Sequence, residues 1–267
     1  MGPFYDLKRL PGNGFLIFPL SMSRLACGQD PSSVYEWLEF FKGKITEQSI
    51  DVIILYTNTL YFNSEEKAYI LREKTNNQMM THKRELSKLI NHSKEFSPKA
   101  IHFIPWDSLI LSVNNYVDFF ALLQKKSKED LLFKIALEYD MKTRPGPKAA
   151  NYHFLFEDLL VTYFIRQKIA PLPYTLTHPD GWRLIVYPGN FITSDIYMNK
   201  QELLPINHAL LKKEPYSTCL YDIENYQLMD YNKITVEELQ GLWRSPLTQF
   251  IMKRRPSASP KEEAILA

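Results

Sequence analysis

The sequence predicts an α/β fold, a Rossmann-like and mostly parallel sheet flanked by helices on both faces. Three observations predict it. Short apolar runs, FLIFPL (15–20), DVIILY (51–56), AIHFIP (100–105) and WRLIVYP (182–188), recur along the chain. Long stretches of helical periodicity separate them. The runs are nearly continuous, without the alternation of a strand that has one wet face, so each needs cover on both sides.

Each element follows from local chemistry. The turn formers Pro11, Gly12, Asn13 and Gly14 precede the first run. Asp30 and Pro31 mark a helix start, and Val34, Trp37, Leu38 and Phe41 recur at helical spacing before Gly43. DVIILY has five consecutive apolar residues rich in β-branched types, and two strands around one helix form a βαβ unit with parallel strands. A long polar helix is expected from Ser64 to about Ser93. Glu65 and Glu66 fall in its first turn and Lys83, Arg84, Lys88 and His92 late in it, the order that the helix macrodipole favours. AIHFIP is the third strand, followed by a helix-rich stretch from Asp107 to about Asp140 with a charged break, QKKSKED. MKTRPGPKAAN is a loop, and Phe154, Leu155, Leu159, Val161, Tyr163 and Ile165 then support a buried helix from Tyr152 to Ile169, stopped by Pro171 and Pro173. The turn HPDG leads into WRLIVYP, with Tyr187 near its end and Pro188 closing it.

Residues 1–255 are expected to form a single catalytic-sized domain, with a core at about 15–195 and a helical C-terminal extension over 200–255. Thr235 to Glu238 is a capping-box match within that extension. Residues 256–267 are expected to be a disordered tail. With 45% apolar and 13% aromatic residues in 267, the chain can bury one sizeable core. The net charge of +2 is no argument for nucleic-acid binding, which only a local basic patch could supply. Cys27 and Cys219 show neither a CxxC spacing nor neighbouring histidines, against a zinc site and a disulfide scaffold, so a reducing setting fits. No apolar span of membrane length and no signal-peptide core occurs, and a cytoplasmic protein without membrane partners is expected.

Open α/β sheets bind ligands beyond the carboxyl ends of their strands. Ser21 and Ser23, Thr57 and Asn58, and Tyr187 occupy those positions. A serine hydroxyl attacks poorly unless a base takes its proton or the electrophile is already activated. With no GxSxG elbow, turn chemistry or helix capping accounts for an isolated SxS. The absence of GxGxxG and GxxxxGK[ST] disfavours nucleotide chemistry, and no cofactor is expected. The six histidines form no HExxH or similar cluster, so no metal is expected either. Tyr163 and Gln167, four apart, share a helix face, for which a core tyrosine and an exposed amide is the plain account. Lys83, Arg84 and Lys88, with Arg72 and Lys74, give one helix a positive side, which a solvated face or a bound phosphate backbone would explain.

The order of these pieces resembles the cyclodipeptide synthases, enzymes that divert aminoacyl-tRNAs into 2,5-diketopiperazines. FPLSMSR matches the strand that ends in the family's nucleophilic serine, with Ser21 at that position. DVIILYTN matches the second strand, MTHKRELSKLI the basic helix, YFIRQ the helix pair and LIVYP the strand ending in a tyrosine. Tyr163 to Tyr187 is 24 residues and Ser21 to Tyr163 is 142, both close to the family's spacing. Arg24, three after the serine, and Pro188, after the tyrosine, look like the branch with Tyr-Pro rather than Tyr-His. The family's pair ends in Glu where this chain has Gln167. Either Gln167 stands in that place, or Glu157 in YHFLFED is the carboxylate.

The resemblance implies a fold similar to the catalytic domain of class I aminoacyl-tRNA synthetases of the tyrosyl and tryptophanyl type, without ATP chemistry. It implies a monomer that takes two aminoacyl-tRNAs in turn, by a ping-pong route through aminoacyl- and dipeptidyl-Ser21. Tyr163 and Gln167 would bind the α-amino group of the serine-bound residue, and Tyr187 would orient the dipeptidyl intermediate or relay a proton. Ile17, Pro19 and Ile53 would line a first pocket suited to an uncharged amino acid. Lys83, Arg84 and Lys88 would hold tRNA phosphates, with affinity falling as salt rises. The alternative is a non-catalytic tRNA-binding protein on a synthetase-like fold, for which Gln167 argues.

Overall fold

The computed structural model describes residues 14–22, 25–26, 28–47, 50–58, 68–94, 101–110, 112–143, 152–170, 172, 182–188, 192–209, 218–222, 227–230 and 233–244. Ser23, Arg24, the 256–267 tail and the side chain of Tyr187 lie outside the described residues. In chain order the elements are β1 (Gly14–Leu20), α1 (Pro31–Glu47), β2 (Asp51–Tyr56), α2 (Ala68–Ser93), β3 (Ile101–Pro105), α3 (Trp106–Ile110), α4 (Tyr116–Glu129), α5 (Leu131–Thr143) and α6 (Tyr152–Arg166). They continue with β4 (Trp182–Pro188), α7 (Thr193–Lys200), β5 (Thr218–Asp222), β6 (Gln227–Asp230) and α8 (Val236–Arg244).

The strands make one sheet in the order β3-β2-β1-β4-β5-β6, parallel throughout except for the antiparallel β5–β6 edge. Strand direction across the sheet and the alternation of side chains explain the apolar runs. Leu16, Phe18, Leu20, Val52, Ile54 and Tyr56 pack on one face against Val34, Trp37, Leu38 and Phe41 of α1 and Leu86 and Ile90 of α2. Phe15, Ile17, Ile53 and Leu55 enter the other face, among Trp106, Leu123, Phe133, Leu137, Leu155 and Leu159 from the later helices. Both faces are dry, so no strand residue has to be polar. Phe18 lies 6.4 Å from the Trp37 ring and 5.6 Å from that of Phe41, and truncating it to alanine removes a buried aromatic worth about 3–5 kcal/mol.

Caps fix several helix ends. Asp30 Oδ1 accepts from the N–H groups of Ser32 and Ser33, with Pro31 at the first helical position. The helix runs past Gly43, where a stop was expected, to Glu47; a glycine inside a helix costs about 1 kcal/mol against alanine and does not by itself end it. The expected break QKKSKED falls at Asp130, which closes α4 and caps α5 by accepting from the Phe133 N–H at 2.9 Å. Thr235 and Glu238 form the capping box, with reciprocal bonds of 3.1 and 2.6 Å.

The 200–255 stretch departs from the helical extension expected of it. It carries β5 and β6, which widen the sheet beyond β4, and only then α8. TCLYD and QLMD mix polar and apolar residues too freely to mark strands on their own. Pairing of β5 with the open edge of β4, and of β6 with β5, makes them strands.

Candidate active site

Strand order reverses between β1 and β4: the chain steps from β1 outward through β2 to β3, then returns to the other side of β1 for β4. The carboxyl end at that reversal is where an open sheet offers a crevice. Ser21 follows directly on β1, partly buried. Ile17 pairs with Ile185 in register, so Tyr187, two residues on and next to last in β4, falls beside the last residues of β1. Thr57, after β2, donates both its N–H (3.0 Å) and its hydroxyl (2.9 Å) to the Leu20 carbonyl. Asn58 accepts from the N–H of Asp107 at 3.1 Å. Thr57 and Asn58 thus brace the strand ends and are satisfied by protein groups.

The other side of the Leu20–Ser21 peptide is also held. The Ser21 N–H donates to Gln29 Oε1 at 2.7 Å, and the Gln29 carbonyl meets His82 Nε2 at 2.9 Å. A carbonyl only accepts, so Nε2 carries the proton; Nδ1 then accepts from the Tyr56 hydroxyl at 2.9 Å. Burial lowers the His82 pKa, which keeps the ring neutral, and burial raises that of Tyr56. Nothing in the sequence marks Gln29 or His82, a lone amide and a lone histidine 53 residues apart.

The second group of expected site residues sits on the last turn of α6. Gln167 caps it, its N–H bonded to the Tyr163 carbonyl at 2.9 Å, and Lys168 follows with φ of 54°. Bonds from Lys168 N to Ile165 O and from Ile169 N to Phe164 O complete a Schellman motif, here with lysine rather than glycine in the left-handed position. Tyr163 and Gln167 turn to one segment: the Tyr163 hydroxyl donates to the Pro205 carbonyl at 2.6 Å, and Gln167 Oε1 accepts from the Asn207 N–H at 2.9 Å. The amide is therefore buried, not exposed. Burial pushes the Tyr163 pKa up to about 12, against the opposing charge of Arg166. Glu157 lies elsewhere, hydrogen-bonded to Tyr116 of α4, whose pKa rises through burial first and the Glu157 charge second. Tyr163 and Gln167 thus bond to one short segment, residues 205–207.

Buried charges hold this turn. Arg166 meets Asp195 of α7 with two bonds of 2.7 Å, and Thr162 Oγ1 adds a third at 3.0 Å. Arg183 of β4 donates to the carbonyls of Ile165 and Ala170 at 3.2 and 3.1 Å. Phe164 stacks 6.3 Å from Trp106, the first residue after β3. Ser21 and the Tyr163–Gln167 pair are anchored separately, the one to Gln29 and the other to residues 205–207.

The remaining expected residues divide. Ile17 and Ile53 pair in register and keep only 1% of their surface, packed in the core with Phe15 and Leu55. Pro19, one step before the strand end, is also buried. Lys83, Arg84 and Lys88 stand on the exposed side of α2, whose inner side buries Thr75, His82, Leu86 and Ile90. Lys83 reaches over the ring of Phe103 at 5.4 Å. Arg84 and Lys88, one turn apart, form an outward basic line.

The fold has solved counterparts. No family model matches the sequence, and no curated protein does. Among solved structures, a cyclodipeptide synthase from Fluoribacter dumoffii covers 81% of this chain and 94% of its own at 11% identity, with a TM-score of 0.54. The chain has the fold of that enzyme. Cyclodipeptide synthases from Staphylococcus haemolyticus (12% identity, 73% of this chain, 85% of that one, TM-score 0.47) and Streptomyces noursei (13%, 69%, 86%, 0.44) are also similar. Among the described residues no helix is long and apolar enough to cross a membrane.

Proposed function

We propose that the chain is a tRNA-dependent cyclodipeptide synthase that forms a 2,5-diketopiperazine from two aminoacyl-tRNAs. The observation that carries this reading is Ser21 at the β1–β4 reversal of a fold shared with such an enzyme. In the first step the Ser21 hydroxyl attacks the ester carbonyl of an aminoacyl-tRNA; the seryl ester forms, the bond to the terminal ribose breaks, and the proton ends on the ribose oxygen. The electrophile arrives activated, so no strong base beside Ser21 is required. The amine of the serine-bound residue then attacks the second aminoacyl ester, an amide forms and a second tRNA leaves with the proton. The new terminal amine finally attacks the seryl ester, closing the ring and returning the proton to Ser21.

Tyr163 and Gln167 hold the attacking amine in this scheme, Tyr187 orients the dipeptidyl ester, and Lys83, Arg84 and Lys88 hold tRNA phosphates. The Tyr-Pro branch, a monomeric state and a cytoplasmic setting belong to the same reading. Mass spectrometry of the culture supernatant after expression in a bacterium tests it: cyclic dipeptides absent from a control culture support it, and their absence with soluble protein present counts against it.

Gln167 favours one alternative, a tRNA-binding protein without acyl transfer, because an amide cannot take the proton that an ammonium must lose. Gln167→Glu separates the two. A carboxylate oxygen can still accept from the Asn207 N–H, so the substitution keeps the bond that Oε1 makes and adds a base. Cyclic dipeptide formation should rise by about 10²-fold, within the usual span for a positioned acid or base. Retarded tRNA with no acyl transfer in either form would favour the binder.

A further inference from the structure

The peptide unit entering Ser21 is held at both of its polar ends by groups that the proposed reaction does not use. Its carbonyl, that of Leu20, accepts from the N–H and hydroxyl of Thr57 at 3.0 and 2.9 Å. Its N–H, that of Ser21, donates to Gln29 Oε1 at 2.7 Å. The six atoms of a peptide unit are coplanar, so fixing both ends fixes the plane from which the Ser21 Cα departs.

Gln29 is itself fixed from α2. Its carbonyl accepts from His82 Nε2, and the Tyr56 hydroxyl, by donating to Nδ1, selects the tautomer that makes this bond possible. Gln29, His82 and Tyr56 retain 5%, 3% and 0% of their surface, so water does not compete for these bonds. From this geometry we infer that Gln29 is a positioning residue for Ser21, oriented by His82 and Tyr56. The inference rests on the reading of Ser21 as the nucleophile. It has a chemical corollary: the Ser21 N–H is committed to Gln29, so the oxyanion formed on acylation takes its donors from other groups. A displacement of a nucleophile by about 1 Å can cost about 10²-fold in rate, and an accepting side chain that sets the plane acts on that scale.

The test is single-turnover acylation of the full chain with total bacterial aminoacyl-tRNA bearing labelled amino acids, read as label on the Ser21 peptide. Gln29→Met keeps the size and removes the acceptor; it should slow acylation about 10²-fold, while Gln29→Glu, which keeps an acceptor, should stay within about threefold of the wild type. Both should bind deacylated tRNA as the wild type does. Acylation by Gln29→Met at the wild-type rate overturns the inference, as does a Gln29→Glu variant as slow as Gln29→Met. Should Gln29→Met fail to fold by circular dichroism, Tyr56→Phe replaces it: slowed acylation in a folded protein supports the relay, and an unchanged rate overturns it. A wild-type protein that binds tRNA and acquires no label at Ser21 overturns the nucleophile reading, and this role with it, before any variant is compared.

Discussion

Ser21→Ala should abolish cyclic dipeptide formation and covalent labelling while leaving the fold intact. The side chain removed is a single hydroxyl on a partly buried residue at a strand exit. The bond that ties this position to Gln29 runs through the Ser21 backbone N–H, which alanine retains. The backbone anchoring of this position should therefore survive the substitution. On the proposed reading the chemistry would lose the hydroxyl that accepts the first aminoacyl group. Deleting a nucleophilic serine elsewhere removes about six orders of magnitude in turnover, and a loss of that order is expected here. Intact-protein mass after incubation with aminoacyl-tRNA, and cyclic dipeptides in the supernatant, both read it. Ser23→Ala, in contrast, should remain active, and product from Ser21→Ala would move the nucleophile elsewhere.

Asp195→Ala should cost about 3–5 kcal/mol of stability, the usual loss when one partner of a buried ion pair is removed. The Arg166 and Asp195 side chains retain 2% and 0% of their surface, so the guanidinium left behind has no water to replace its carboxylate. For a chain of this size each kcal/mol moves the melting temperature by about 2–4 °C, which makes a fall of roughly 10 °C the expected result in calorimetry. Replacing both charges by apolar residues of similar volume should recover much of the loss, because the isolated charge, not the missing attraction, is the larger cost. A single variant that melts within about 2 °C of the wild type would show that Arg166 finds another acceptor. Arg166 lies between Tyr163 and Gln167 in sequence, so acyl transfer should decline alongside stability.

The sheet centre was legible because both of its faces are covered. FLIFPL, DVIILY, AIHFIP and WRLIVYP carry apolar residues on either side, and all four are strands in the expected parallel arrangement. The Asp30–Pro31 start and the Thr235–Glu238 box were legible because capping is local, spanning three residues. Strands β5 and β6 were not, since their pattern reflects an edge position and the partner that creates it. The same division holds at the site. Ser21 at a strand exit and the shared face of Tyr163 and Gln167 follow from spacing. The partners of those residues do not: Gln29 with His82 and Arg166 with Asp195 span 53 and 29 residues, and each is an ordinary polar residue until the fold brings it to its mate.

The start of α7 has a consequence for the order in which the molecule assembles. Thr193, Ser194 and Asp195, three consecutive polar residues, have no exposed surface. The Asp140 carboxylate of α5 takes four bonds from the N–H and hydroxyl groups of Thr193 and Ser194, and Arg166 of α6 takes Asp195. Without both partners this triplet would strip water from its polar groups for no return, so α7 can dock only onto a surface that α5 and α6 have already built. That makes its seating a late event in folding, and ties its release to the opening of the whole helical layer. The Thr193 and Ser194 amides should accordingly be among the slowest in the chain to exchange with deuterium, although they open a helix of only eight residues.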